Sequence, residues 1–290
     1  MKTNKNSQPV FKSKKKITMY DGVIIAFFVI ISFITIIPLW KVLIDSFNLK
    51  TAYGMRLWPE VFGFDGYVSV FTNPTLYRPL LISFGTTIAG TFIGLVLSTL
   101  GGYVLIQKDM PGRGLLASML LFTMLFNGGM IPTYLVLKNL GITNTLWAVV
   151  LLPGLNVFNL VLMRNFFEGI PQSLFESASI DGCSPVGIFF KIVLPLSKAA
   201  LAAIGLMFAV AYWNDYTNYK IYIINSDLFN FQMKLRSIIM GSDLPQATGN
   251  ATENTVKNAA TIVAILPFMI LYPFAQKYFI QGINVGAVKE

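Results

Sequence analysis

Six stretches of this chain run without an Asp, Glu, Lys or Arg: Gly22–Trp40, Leu81–Ile106, Leu115–Leu137, Leu146–Met163, Ala199–Trp213 and Ala259–Gln276. A helix crossing about 30 Å of hydrocarbon needs about 20 largely apolar residues, so the pattern predicts an all-α polytopic membrane protein with six transmembrane helices. The fifth stretch has only 15 residues. It reaches the needed length by extending back through Leu194 and Leu196, with Lys198 snorkelling to the interface. The first resembles a secretory leader only superficially. Its apolar run of 19 residues exceeds the usual about 7–15, and no small-x-small cleavage site follows, so it is read as a span.

Composition agrees with the pattern. Of 290 residues, 54% are apolar or aromatic and 12% are charged, about half the roughly 25% charged content of soluble domains. That polar surface cannot coat a water-soluble globule, and the apolar content excludes a disordered chain. With no His and only Cys183, a disulfide-stapled domain and a zinc finger are excluded too. The net charge of +9 is concentrated, with Lys2, Lys5, Lys12, Lys14, Lys15 and Lys16 in the first sixteen positions. Basic residues beside a span mark its cytoplasmic flank and can touch anionic lipid of the bilayer. Phe11 is the only aromatic residue interleaved with these lysines, so a nucleic-acid partner is not expected.

A cytoplasmic tail fixes the rest by alternation. Residues 1–18 form the basic tail and 19–290 the transmembrane domain, with 107–114, 164–198 and the C-terminus also cytoplasmic. The cytoplasmic side then holds 13 basic residues against 9 in longer external segments, which favours the same orientation. Residues 41–80 and 214–258 become the two large external loops of a multi-pass protein of the cell membrane.

Proton- and ion-coupled carriers keep ionisable groups inside their spans, and these six stretches have none. Energy, if used, must come from another subunit. The nearest approach to a phosphate-binding loop, Gly182-Cys-Ser-Pro-Val-Gly187, is followed by Ile188 and Phe189 rather than by Lys and Ser or Thr. No His is present for base catalysis or metal ligation, and no Gly-x-Ser-x-Gly elbow occurs. Neither an enzyme nor a resident cofactor is expected.

Residues 164–198 carry the most information. Pro171 suits a helix start, and Ile170, Leu174 and Ala178 recur as a short apolar stripe. Asp181-Gly182 provides a stop, and Ser184-Pro185 a new N-cap and first turn. Val186, Phe189, Phe190 and Val193 then have the spacing of one buried helix face, which Leu194-Pro195 ends before the fifth span.

The same residues carry a resemblance. Glu176-Ser177-Ala178, three residues, Gly182, nine residues and Ile192-x-Leu194-Pro195 resemble the cytoplasmic signature of ABC import permeases, Glu-Ala-Ala-x3-Gly-x9-Ile-x-Leu-Pro. Ser177 is the one departure, small and polar. Pro111-Gly112-Arg113-Gly114, Trp213-Asn214-Asp215-Tyr216, Gln281-Gly282 and Gly286-Ala287-Val288-Lys289 resemble the carbohydrate-importer branch, near its maltose-type second permeases and oligosaccharide permeases. The likeness covers all but about the first 15 residues.

The resemblance implies a type I ABC importer permease fold. It also implies partnership with a second, different permease subunit, two cytoplasmic ATPases and an extracytoplasmic sugar-binding protein. ATP and magnesium would sit on the ATPases, with no cofactor in this chain. The ATPase-coupling positions would be Glu176, Ser177, Ala178, Gly182, Ile192, Leu194 and Pro195. In that assignment Glu176 is a charged contact, and Ala178 and Gly182 permit close approach.

Sugars are bound by a few neutral polar groups in an aromatic setting, and the spans offer Asn127, Tyr134, Asn156, Asn159, Tyr212 and Trp213. Each could equally be a helix-helix tie or an interface anchor. Asn127-Gly128-Gly129 with Pro132 interrupts the third span, so freed backbone groups could line a cavity there. Residues 241–258, rich in Gly, Asn, Thr and Ala, suggest a loop without its own core. By resemblance that loop reaches into the binding protein. A secondary carrier or channel, and a membrane scaffold, are the competing classes.

Overall fold

The structure is a computed structural model that describes residues 19–50, 54, 56–242 and 247–286. The basic tail and the Ala287-Val288-Lys289 motif lie outside the described residues. All the named elements are helical because backbone polar groups in lipid must be satisfied within the segment itself. Among the described residues, three helices are long and apolar enough to cross a membrane: α1 (Met19–Ser46), α3 (Pro74–Ile106) and the Glu253–Pro273 part of α14 (Glu253–Gly286). The short α2 (Asp65–Thr72) precedes α3, whose start is set by Asn73 accepting from the Thr75 amide at 3.0 Å with Pro74 in the first turn.

The other expected spans are broken, and the count rises to five if each bent pair is one crossing. The third becomes α4 (Arg113–Leu125) and α5 (Met130–Asn139), bent by 119°. The break falls on Asn127-Gly128-Gly129, where Gly129 takes φ +95°. The fourth, expected over 146–163, is α6 (Leu146–Leu151) and α7 (Val157–Glu168), separated by the turn at 152–156. The fifth, α11 (Lys198–Trp213), does not extend straight back through Leu194 and Leu196. Those residues belong to a segment, Pro185–Leu196, bent from α11 by 79° at Ser197. Pro195 therefore does not end the preceding helix as expected. It sits in the first turn of the three-residue α10 (Leu194–Leu196), where a missing N–H is tolerated, and the break comes after it.

At the centre α3 lies against α7 and α11, and α14 against α1 and α11. Close approach of α3 and α11 is permitted by Gly90 and Gly94, a small-xxx-small pair. A Cβ on Gly94 would lie 2.7 Å from the Phe208 ring, and one on Gly90 would collide with the Tyr212 ring.

The two large segments expected on one side do meet at one end of the molecule. Asn48 and Phe62 form an antiparallel bridge, and Thr255 donates its hydroxyl to the Asn48 carbonyl at 2.5 Å. The Thr248 amide donates to Ser69 Oγ at 2.9 Å and the Asn250 amide to Asp65 Oδ2 at 3.0 Å. The Phe231 amide donates to Ser83 Oγ at 2.8 Å. Ahead of residues 241–258, the second of these segments contains α12 (Thr217–Tyr222) and α13 (Phe231–Ile239). The helices also begin earlier than expected, α3 at Pro74 and α14 at Glu253. At the opposite end lie residues 107–113 and the signature segment.

Candidate coupling site and translocation path

The signature segment is a chain of short helices, with local bonds closing the end of α8 (Gln172–Ile180) and capping the start of α9 (Pro185–Ile188). After Pro171, α8 (Gln172–Ile180) runs to Asp181, and Gly182 takes φ +77°. The Cys183 amide donates to the Ala178 carbonyl at 2.9 Å and the Gly182 amide to that of Ser179 at 3.1 Å. This pair of bonds closes a helix on a left-handed residue, which is why glycine stands there. Ser184 then caps α9 (Pro185–Ile188), its hydroxyl accepting from the Gly187 amide at 3.2 Å. Residues Phe189–Val193 form a π turn leading into α10.

The unit is seated by apolar packing. Ile188, Phe189 and Val193 are buried with Met163 and Phe167 of α7 and with Ala200, Ile204 and Phe208 of α11. Tyr103 of α3 lies over the Phe189 ring at 4.9 Å and donates its hydroxyl to the Pro185 carbonyl at 2.8 Å. Beside it Arg164 donates to Glu168 through Nε and NH2 at 3.0 and 2.7 Å, and Arg113 donates through Nε to the Leu105 carbonyl at 2.6 Å. Between α8 and the 107–113 turn lies an open cavity of about 1060 Å³, lined by Glu176, Glu168, Arg113 and Lys108.

Two expected buried faces are corrected. In the Ile170–Leu174–Ala178 stripe, Ile170 and Ala178 pack inward with Phe175, while Leu174 is exposed. Ile170 precedes the Pro171 corner, so it never shares a helix register with Leu174. Of the second face, Phe189 and Val193 are buried, but Val186 and Phe190 are 64% and 61% exposed. The π turn is the reason, since it brings residues four and five apart into line rather than three and four apart. Ile180, with no part in the expected stripe, is 86% exposed. These side chains form an uncovered apolar rim around the unit.

The signature residues separate accordingly. Glu176 and Ser177 are exposed on α8, and Pro195 is exposed beside half-buried Ile192 and Leu194. Ala178 is 7% exposed and packs within the chain's own core. Gly182 has open space where a Cβ would be. Its own fold therefore requires the glycine for backbone conformation, not for a close approach inside this chain.

The six path candidates have different partners. Asn127 Oδ1 accepts from the Gly129 amide at 2.9 Å and shapes the break between α4 and α5. Tyr134 stacks on Tyr222 at 6.3 Å. Asn156 caps α7, accepting from the Asn159 amide at 3.0 Å, and Asn159 is buried. Tyr212 and Trp213 are buried and donate to the carbonyls of Val150 at 2.7 Å and Ala264 at 2.9 Å. Both side chains tie α11 to neighbouring segments.

A multi-span helical chain, broken by caps and turns at one end and exposing a seated signature unit, defines the membrane component of a transport system. The chain belongs to the family of binding-protein-dependent transport system inner membrane components, whose model matches residues 114–285. It is similar to the polygalacturonan/rhamnogalacturonan transport system permease protein YtcP of Bacillus subtilis, with 40% identity over 93% of this chain and 98% of that one. It is equally similar to Protein LplC of the same organism, 40% identical over 88% of this chain and 90% of that one. A solved bacterial ABC transporter involved in importing the acidic polysaccharide alginate includes a chain of TM-score 0.84 and 27% identity, covering 92% of this chain and 99% of that one.

Proposed function

We infer that this chain forms half of the translocation path of an ATP-driven, binding-protein-dependent oligosaccharide importer of the plasma membrane. A second, different permease completes the path, and an extracytoplasmic protein delivers the sugar. Two cytoplasmic ATPases engage residues 164–198, with ATP and magnesium on those subunits. Six crossings with both termini cytoplasmic complete the arrangement, the broken pairs α4–α5 and α6–α7 supplying the third and fourth. The carbohydrate cargo is supported by the named permease relatives.

The observation that carries the reading is the rigidly capped signature unit with its exposed apolar rim. An uncovered Leu174, Ile180, Val186 and Phe190 beside an open cavity is the surface a partner would bury. Because α8 and α9 are stopped and restarted by local bonds, a push on the rim moves them as one body. Glu176 at the cavity wall offers a charged contact, with Ser177 beside it.

The test is reconstitution of the chain with its second permease, ATPases and binding protein in proteoliposomes. ATP-dependent uptake of labelled oligosaccharide is expected, and Gly182→Val should abolish it while ATP hydrolysis continues. In a Cys183→Ser background, Ile180→Cys should cross-link to an ATPase subunit. Uptake without the ATPases, or cross-linking only to externally added reagents, would overturn the assignment.

A further inference from the structure

At the end of the molecule opposite the signature unit, a cavity of about 360 Å³ lies between the end of α1 and the start of α14. Lys41, Lys50 and Lys257 line it, and among the lining residues Asp45 has the single carboxylate. Lys41 already donates to Asp45 Oδ2 at 2.7 Å. Lys257 reaches the Ile239 carbonyl only at a long 3.5 Å, and Lys50 is exposed. An excess of positive charge is left on the wall. The first turn of α14, the positive end of its backbone dipole, lies on the same wall through Asn254 and Thr255.

Asn48 adds a donor with nothing to bond. It lines the cavity and is 2% exposed. Its Oδ1 accepts from the Lys50 and Val61 amides, both at 3.3 Å, and its carbonyl from the Thr255 hydroxyl. The two Oδ1 bonds fix which way the side-chain amide is turned, and its NH2 has no partner among the described residues. Buried donors are nearly always paired. One left over at the wall of a cationic cavity calls for an oxygen acceptor from outside the chain.

Two boundaries put the cavity at the level of lipid headgroups. Along α1 the side chains from Ile25 to Trp40 are uncovered by the rest of the chain, and those from Lys41 to Leu49 are half-buried or buried. The bare apolar run thus ends on Trp40, a residue type that anchors spans at the interface. Asp45 lies five residues beyond it, about 8 Å along a helix, and the headgroup layer is roughly 5–8 Å thick on each side. On α14 the uncharged stretch 259–276 starts directly after Lys257 and Asn258, which both line the cavity.

We propose that this cavity binds the phosphodiester of an anionic phospholipid whose acyl chains lie along the bare face of α1. Lys50 and Lys257 hold the phosphate oxygens and the Asn48 NH2 donates to one of them, charge-assisted bonds in each case. Because the walls belong to two spans, the headgroup braces the end of α1 against the start of α14. A free phosphate offers the same oxygens, but nothing in its chemistry requires a site at headgroup depth. The site does not depend on the importer reading; only its leaflet, the external one, follows from the proposed orientation.

The experiment uses the full-length chain in detergent, titrated with phosphatidylglycerol, phosphatidylcholine or inorganic phosphate, with bound molecules counted by native mass spectrometry. Phosphatidylglycerol is expected to bind about tenfold or more tightly than phosphatidylcholine. The double variant Lys50→Gln/Lys257→Gln should weaken that binding about tenfold or more, as loss of charge-assisted bonds does. Asn48→Asp keeps the oxygen that accepts from the Lys50 and Val61 amides but replaces the donor with an anion, and should weaken it at least as much. Its lipid-free melting temperature reports whether it still folds, and the lysine variant decides if it does not. Lys108→Gln/Lys191→Gln removes the same charge at the opposite end and should leave binding unchanged. Equal binding of the two lipids, or an unaffected lysine variant, overturns the proposal. So does an equal loss in the opposite-end variant, which would mean attraction to net charge alone. Inorganic phosphate that binds at the same lysines and displaces phosphatidylglycerol at equal concentration would make this a free-anion site and overturn the lipid assignment.

Discussion

Thr255 reaches the Asn48 carbonyl across more than two hundred residues, and Thr248 and Asn250 reach α2 in the same way. At the other end Ile188, Phe189 and Val193 hold the signature unit mainly by burial against α7 and α11. Directional bonds fix distances and angles, so the first end is a latch between distant segments. Apolar packing is less directional, and the signature unit rests on it together with the bond from the Tyr103 hydroxyl to the Pro185 carbonyl. Under the proposed function, cargo would arrive at one end and force at the other, and the contrast would suit both.

The largest effect is expected where both ends share a support. Gly94→Leu drives a side chain into Phe208 and should cost about 3 kcal/mol, with thermal melts in detergent falling and both ends losing amide protection together. Retained protection at either end would show that the α3–α11 contact is not the common support.

Ala178→Leu should be more local, costing about 2 kcal/mol by overpacking beneath α8. Hydrogen exchange should quicken across 164–197 and stay slow at 65–72 and 253–256. Thr255→Val reverses the pattern. Leaving the Asn48 carbonyl without its hydroxyl donor should cost about 1–2 kcal/mol, loosening 47–63 and sparing the signature unit. If each variant loosened both ends alike, the ends would not be separate cooperative regions.

The smallest effect is a pH dependence at the latch end. Asp215 accepts from the Asn218 amide at 3.0 Å and from its side-chain NH2 at 2.9 Å. Burial nevertheless lifts its carboxyl above the ordinary 3.8, with those bonds opposing the lift. The folded chain then holds this proton more tightly than the unfolded chain. The associated stabilisation is complete below 3.8 and is lost as pH rises through the lifted value. Melting temperature should fall across that window, and Asp215→Asn should flatten the fall. An unaltered pH profile in the variant would assign the dependence to other groups.

Much of the signature unit was legible in order. Asp181-Gly182 and Ser184-Pro185 announce a stop and a start because capping depends on residues only a few positions apart. The buried face of the next helix was not legible, since Val186 and Phe190 have the same apolar character and spacing as Phe189. Only the docking of Ile188 and Phe189 under Tyr103, with the π turn that follows, selects between them. The choice between the readings of Tyr212 and Trp213 was open in the sequence for a related reason. A polar tip in a span reads alike whether it meets a solute or the Val150 and Ala264 carbonyls.

Sequence by itself determined the apolar stretches, the charge asymmetry and the local caps, because each depends on neighbours along the chain. Tertiary structure decided where the stretches bend, which apolar side chains remain uncovered, and that Lys50 shares a cavity with Lys257. These outcomes depend on packing between segments far apart in order. No local periodicity records which distant surface a side chain will meet.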